Sequence, residues 1–236
     1  MAPGPGNYPV IPKKLSDAFL QKLDASGNLL WVKTFGSNGG EYGNCVKVDA
    51  AGNAYMIGYF DSTIDFDPGA ATYNLTSAGN ADIFILKLDP NGNFVWAKRI
   101  GGADEDQGHS LTLDASGNIY ATGCFRDTID FDPGSGAHML RTAGSWDIFV
   151  MKLDASGNFV WAKQMGSPNF DIGYAITVDA SGNVYSTGYF TGTVDFNPNP
   201  SINYNLTSAG MNDVYVQKLD NNGNFVWAVQ FGGAMF

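Results

Sequence analysis

Residues 147–166 read DIFVMKLDASGNFVWAKQMG, two apolar-rich runs flanking Asp154-Ala-Ser-Gly157-Asn158. In such a turn the Asp side chain caps the backbone and Gly takes the positive φ of a type I turn with a G1 bulge. The stretch therefore predicts a β-hairpin. The pattern recurs at 82–101 and 213–232, and opens at 17–36. A second hairpin, GHSLTLDASGNIYATGCF at 108–125, is matched by 43–60 and 173–190. Trp31, Trp96, Trp161 and Trp227 mark the closing strand of each copy, at spacings of 65, 65 and 66 residues. Asp65, Asp130 and Asp195 keep the 65-residue period, as do Tyr59, Cys124 and Tyr189. The one-residue slip thus enters after Asp195, where the loop NPNPSINYN absorbs it at little entropic cost.

Each complete unit holds two hairpins, hence four strands, a to d. Strand d carries Phe94 and Trp96 on one side and Val95 and Ala97 on the other, so both faces are apolar. A sheet buried on both faces must lie between other sheets. The pattern predicts an all-β fold of β-propeller-type, four-stranded antiparallel blades stacked around an axis. The organisation read from it is a Pro/Gly-rich linker at 1–16 and a repeat domain at 17–236. Within that domain lie a c-d half-blade (17–36) and full blades at 43–101, 108–166 and 173–232. The half-blade lacks its a-b hairpin, so completing strands are expected from a longer protein or from another copy.

The runs VDASGNVYSTGYF, TVDFNP, LTSAG, DVYVQKLD and NNGNFVWA resemble the bacterial SBBP β-propeller repeat and, more loosely, the NHL blade. The resemblance extends over roughly residues 17–233. It implies strand a innermost and d outermost, and an exported, secreted or cell-surface setting. It implies little about activity, because one fold hosts many functions.

A net charge of −10 argues against nucleic acid, whose phosphates call for clustered Lys and Arg. No segment approaches the roughly 18 consecutive apolar residues of a membrane span. Cys45 and Cys124 fall at different places in the repeat, so free thiols are expected rather than a framework of equivalent bridges. Residues 1–16 contain four prolines and no apolar signal-peptide core, and read as a linker or mature terminus.

Candidate site residues fall into three sets. The loop end expected of the fold collects Glu41, Asp104, Glu105, Asp106 and Asp171 in d-a loops, with Asp65/Asp67 and Asp130/Asp132 in the b-c insertions. Carboxylates at i and i+2 can contribute to a calcium site, making Asp65, Asp67, Asp130 and Asp132 the candidate metal ligands. Asp67-Pro68-Gly69 equally fits a turn, and Asn197 takes the second position in the third unit. The second set breaks the repeat: His109, Arg126, His138, Arg141 and Trp146 occur only in the middle unit, the expected place for a small-molecule or peptide site, and a protein or glycan is the ligand expected of the module. The third is the apolar last strand. Val229 replaces the Lys of Lys33, Lys98 and Lys163, and with Phe231 it is the candidate for self-association. Asp17, Asp82, Asp147 and Asp213 open every strand c and are expected to repeat one backbone hydrogen bond. With only two histidines and no nucleophile-elbow or zinc pattern, the expectation is a non-enzymatic extracellular or cell-surface binding and scaffolding module. The alternative is a lectin-like, calcium-dependent carbohydrate binder.

Overall fold

A computed structural model describes residues 16–234, and the linker reading of 1–16 falls almost wholly outside them. The described residues form eighteen strands and no helix. Strands β1 (Ala18–Leu23) and β2 (Leu29–Phe35) make a two-stranded sheet. The first four-stranded sheet has the order β3-β4-β7-β8: β3 (Glu41–Val48), β4 (Ala54–Phe60), β7 (Asp82–Leu88) and β8 (Phe94–Ile100). Between β4 and β7, β5 (Thr63–Asp65) and β6 (Asn74–Thr76) pair as a small flap. The middle sheet holds β9 (Gln107–Leu113), β10 (Ile119–Asp130), β11 (Met139–Leu153) and β12 (Phe159–Met165). The last sheet holds β13 (Ile172–Val178), β14 (Val184–Phe190), β17 (Asp213–Leu219) and β18 (Phe225–Phe231), with the flap β15 (Thr193–Asp195) and β16 (Asn205–Thr207). Every strand pair within these sheets is antiparallel.

Turn chemistry sets the hairpins. Asp154 Oδ1 accepts the Ser156 N–H at 2.8 Å and the Asn158 N–H at 2.9 Å, while Asn158 Nδ2 donates to Oδ2 at 2.8 Å. Gly157 sits at φ 79°, where a side chain would be strained, and the register shifts by one residue at Lys152/Leu153. The same bonds form at Asp24, where those from Asn28 hold the carboxyl below its ordinary value.

Successive sheets stack face to face, with one apolar layer at each junction. Ala18, Leu20 and Phe35 pack with Met56, Phe84 and Leu86. Ile57, Ile83 and Ile85 pack with Phe125, Phe149 and Met151. Ile148, Val150 and Met165 pack with Phe190 and Tyr215. Burial on both faces of the inner sheets is what the two-sided apolar pattern required. Short parallel bridges clamp each junction: the N–H groups of Glu41, Asp106 and Asp171 donate to the carbonyls of Ser16, Ala81 and Trp146 at 3.0, 2.8 and 2.9 Å.

Candidate binding surfaces

Each junction is keyed by a tryptophan on a glycine turn. Trp31 Nε1 donates to the Pro90 carbonyl and Trp161 Nε1 to that of Asn221, both at 3.2 Å. The indole rings of Trp31, Trp96 and Trp161 come so close to Gly92, Gly157 and Gly223 that a Cβ there would meet them at 3.0, 3.3 and 3.1 Å. Trp161 is buried and Trp96 half-buried, edge-on to Tyr55. Lys33, Lys98 and Lys163 share this contact, their Cε atoms lying 2.9, 3.0 and 2.8 Å from the same Cβ positions. Their stems thus belong to the junction, and edge protection is not the reason for a Lys at this position.

The acids divide into two chemical groups. Asp82, Asp147 and Asp213, each buried, accept the N–H groups of Ala78, Ala143 and Ala209 at 3.0, 2.9 and 3.0 Å, which is the repeated backbone bond expected of them. Arg99 pairs with Asp82, and Gln164 and Gln230 take the equivalent place beside Asp147 and Asp213. Glu41, Asp106 and Asp171, expected among the loop acids, are also buried. Asp106 accepts the N–H groups of Gly102 and Arg126 at 2.8 and 3.1 Å. Asp171 accepts those of Ser167 and Thr191 at 2.6 and 2.9 Å. They organise the d-a loop, and the signal was available: 41, 106 and 171 are 65 apart, whereas Asp104 and Glu105 recur nowhere. Burial pushes Asp106 up to about 7 and Asp147 to about 6.

The candidate metal ligands are occupied by turns. Asp65 Oδ1 accepts the N–H groups of Asp67 and Tyr73 at 3.0 and 2.8 Å, and Asp130 Oδ1 those of Asp132 and His138 at 3.0 and 2.7 Å. Asp67 and Asp132 accept the Gly69 and Gly134 N–H groups, both at 2.7 Å. In the last sheet Asn197, an uncharged amide, accepts the Asn199 N–H in the same manner at 3.0 Å. Among the described residues no group of three or more His, Cys, Asp or Glu side chains is arranged to hold a metal ion.

The five pattern-breaking residues are dispersed. Arg126 and Trp146 are cross-strand partners, the guanidinium 5.7 Å from the indole centre. Thr128 pairs with Arg141, so β10 and β11 run unbroken through the insertion that elsewhere separates into flap and sheet. His138 lies away from them, its ring tilted against Phe159 with centroids 4.8 Å apart. It lines an outer groove of about 430 Å³ with Lys163, Asp195, Asn197 and Pro198. The preceding junction repeats this groove at about 310 Å³ with Tyr73, Lys98, Arg99, Asp130 and Asp132. His109 is on strand β9, where Nδ1 donates to the Gly173 carbonyl at 2.8 Å and Nε2 lies 3.0 Å from Gln107 Oε1. Asn44 does the same job one junction earlier, donating to the Gly108 carbonyl at 2.9 Å. Burial holds His109 below its ordinary value. Cys124 is buried and both cysteines are free thiols.

The two outermost sheet faces are uncovered. On the last sheet Val214, Trp227 and Phe231 are 47, 36 and 61% exposed, whereas their middle-sheet counterparts Ile148, Trp161 and Met165 are 0, 8 and 1% exposed. Val229 is also exposed. On the opposite face of the two-stranded sheet, Phe19 is 53% exposed, against 0% for Phe84, Phe149 and Tyr215 at the same repeat position. No sequence signal distinguished Phe19 from those counterparts, because the difference lies in the neighbour and not in the residue.

An all-β chain of stacked four-stranded antiparallel sheets, keyed by a recurrent Trp, defines a propeller-type repeat protein. The SBBP beta-propeller repeat family matches residues 95–123 and 160–193, each running from a strand d across the junction into the next a-b hairpin. The chain carries SBBP repeats. It is 24% identical over 235 residues to an uncharacterized WD repeat-containing protein of Acanthamoeba polyphaga mimivirus, covering 89% of this chain and 17% of that protein. It is 26% identical over 143 residues to the regulatory protein FlaEY of Caulobacter vibrioides, covering 61% of this chain and 14% of that one. The chain thus spans less than a fifth of either relative. A crystal structure of a protein of unknown function from Bacteroides caccae aligns over 92% of this chain and 94% of that one, at 10% identity and a TM-score of 0.30.

Proposed function

We propose that this chain is a non-enzymatic binding and scaffolding module, secreted or at the cell surface, that associates through its uncovered sheet faces. The observation that carries the reading is the exposure of Val214, Trp227 and Phe231, at positions that the other junctions bury or half-bury. Apolar surface of this composition gains free energy when water is removed from it, and soluble chains seldom leave it contiguous. The chain holds one half-blade and three whole blades, and another propeller sheet supplies the contacts that the two outer faces lack. The WD-repeat and regulatory relatives support a role in protein contacts. Sedimentation velocity over a concentration series tests this, with association expected and weakened by Phe231→Lys, whose counterparts Phe35, Ile100 and Met165 are buried. An unchanged monomer throughout would remove the association from the proposal.

A lectin-like role has one observation in its favour. Tyr73 packs tilted against Phe94 at 4.7 Å and Tyr204 against Phe225 at 4.8 Å, His138 against Phe159 holding the equivalent place. Aromatic faces beside polar grooves are suited to sugar rings. A glycan array run with and without EDTA decides it, and binding to no glycan discards it.

A further inference from the structure

We infer that Trp227 of one copy seats on the Asp24–Asn28 turn of a second copy, joining chains head to tail. The inference rests on the association proposed above and names the partner surface. Each of the three junctions within the chain pairs one Trp with one glycine turn: Trp31 with Gly92, Trp96 with Gly157 and Trp161 with Gly223. Of the four strand-d tryptophans and the four c-d turns, one of each remains. Trp227 is exposed, and among the described residues nothing lies within 4 Å of a Cβ built on Gly27. Each is the missing half of a junction that the chain builds three times.

Both halves are preformed. The Asp24 turn makes the Asp-capped bonds of the other turns, at 2.8 Å to the Ser26 and Asn28 N–H groups, with Gly27 at φ 83°. Trp227 stands edge-on to Tyr185 at 6.1 Å, as Trp161 does to Tyr120 at 6.3 Å, so its ring already holds the orientation used inside the chain. Little conformational freedom is then lost on docking. The flanking surfaces match in chemistry: Val214, Val229 and Phe231 surround Trp227, while Phe19 and Leu23 lie exposed on the two-stranded sheet. Lys218 completes the match. Its counterparts Lys22 and Lys152 donate across their junctions to the Pro90 carbonyl and to Asn221 Oδ1, at 2.8 and 2.5 Å. Lys218 lies 5.1 Å over the Tyr185 ring, as Lys152 lies 5.0 Å over Tyr120, so it already holds the position from which Lys152 reaches across its junction. Because the two surfaces differ, the contact is heterologous, and every copy offers one of each.

The test uses two variants of the whole chain. Gly27→Asn retains a residue that tolerates positive φ and adds a side chain where the inferred Trp contact would form. Trp227→Lys removes the ring. Unfolding midpoints establish that both variants fold, and sedimentation velocity reads the association. Each variant alone is expected to lose association by roughly tenfold or more in dissociation constant, as for a central aromatic anchor. Mixed in equal amounts they should form a heterodimer that stops at two, because one intact Trp227 meets one intact Gly27 turn. A wild type that associates while both variants match it overturns the head-to-tail contact and leaves the association standing. Loss with Trp227→Lys but not with Gly27→Asn also overturns it, in favour of two equivalent last-sheet faces. A strictly monomeric wild type overturns both readings.

Discussion

The middle and last four-stranded sheets share a strand order, hairpin turns, a buried Asp in the third strand and a Trp in the fourth. They differ in what faces them. The middle sheet is covered on both sides, and Ile148, Val150, Trp161 and Met165 enter a core with the sheet that follows. The last sheet is covered on one side, and the residues at those positions meet solvent. The same repeat therefore supplies either a core face or a binding face, according to whether another sheet lies against it. In stacked repeat proteins stability is shared between each repeat and its nearest-neighbour interfaces, so the two sheets should respond differently to the same substitution.

The largest expected difference is at the paired tryptophans. Trp161→Ala should cost about 3–5 kcal/mol and Trp227→Ala under about 1 kcal/mol, measured by urea unfolding at a concentration where the chain is monomeric. Equal costs would break the comparison, because they would mean that Trp161 gains nothing from its neighbour.

Next in size is the pH response of the buried acids. Asp147 is raised to about 6 and Asp106 to about 7, from an ordinary value of 3.8, because burial penalises their charged forms. The folded chain keeps these protons at pH values where the unfolded chain has released them. Their contribution is complete below about pH 4 and is lost as the pH rises through the folded values, by up to about 3 kcal/mol for Asp147. His109 opposes this: burial lowers its value, so below the ordinary 6.5 the unfolded chain takes up the proton and the fold loses stability. Unfolding at pH 5 and pH 8 should show the wild type weaker at pH 8. Asp147→Asn should flatten that slope, since Asp147 Oδ1 has no partner among the described residues and can be replaced by an amide. A steeper slope in the variant would refute the assignment.

Val229→Lys restores the residue found at Lys33, Lys98 and Lys163. The unfolding midpoint should move by less than about 0.5 kcal/mol, and the dissociation constant for self-association should not rise, because Lys33, Lys98 and Lys163 lie against the glycine turn in all three junctions within the chain. A large loss of stability with unchanged association would show that Val229 packs within its own sheet.

The smallest effect concerns the insertion acids. Asn197 makes in the last sheet the bond that Asp132 makes in the middle one, so Asp132→Asn should be neutral within about 0.5 kcal/mol. Melting curves in millimolar calcium and in excess EDTA should coincide, whereas a calcium-dependent rise would restore the metal reading through mass action.

Much of this was legible in the chain. Asp-x-x-Gly-Asn fixes a hairpin through bonds among five consecutive residues, so no distant part is needed to recognise it. The apolar pattern on both faces required sandwiched sheets. The buried role of Glu41, Asp106 and Asp171 was present in their 65-residue spacing but was masked by Asp104 and Glu105 alongside. The dispersal of His109, Arg126, His138 and Trp146 was not legible, because departure from a repeat says where a residue is unusual and not which way it points.

The sequence alone determined the repeat, the hairpins and the identity of the residues that key one sheet to the next, all consequences of local bonding and periodicity. Only the tertiary structure decided which copies of those residues are buried. Trp161 and Trp227 occupy the same place in a strand, and burial is a property of the space around a residue. That space is set by whether a further sheet stands within contact distance, which no local pattern encodes.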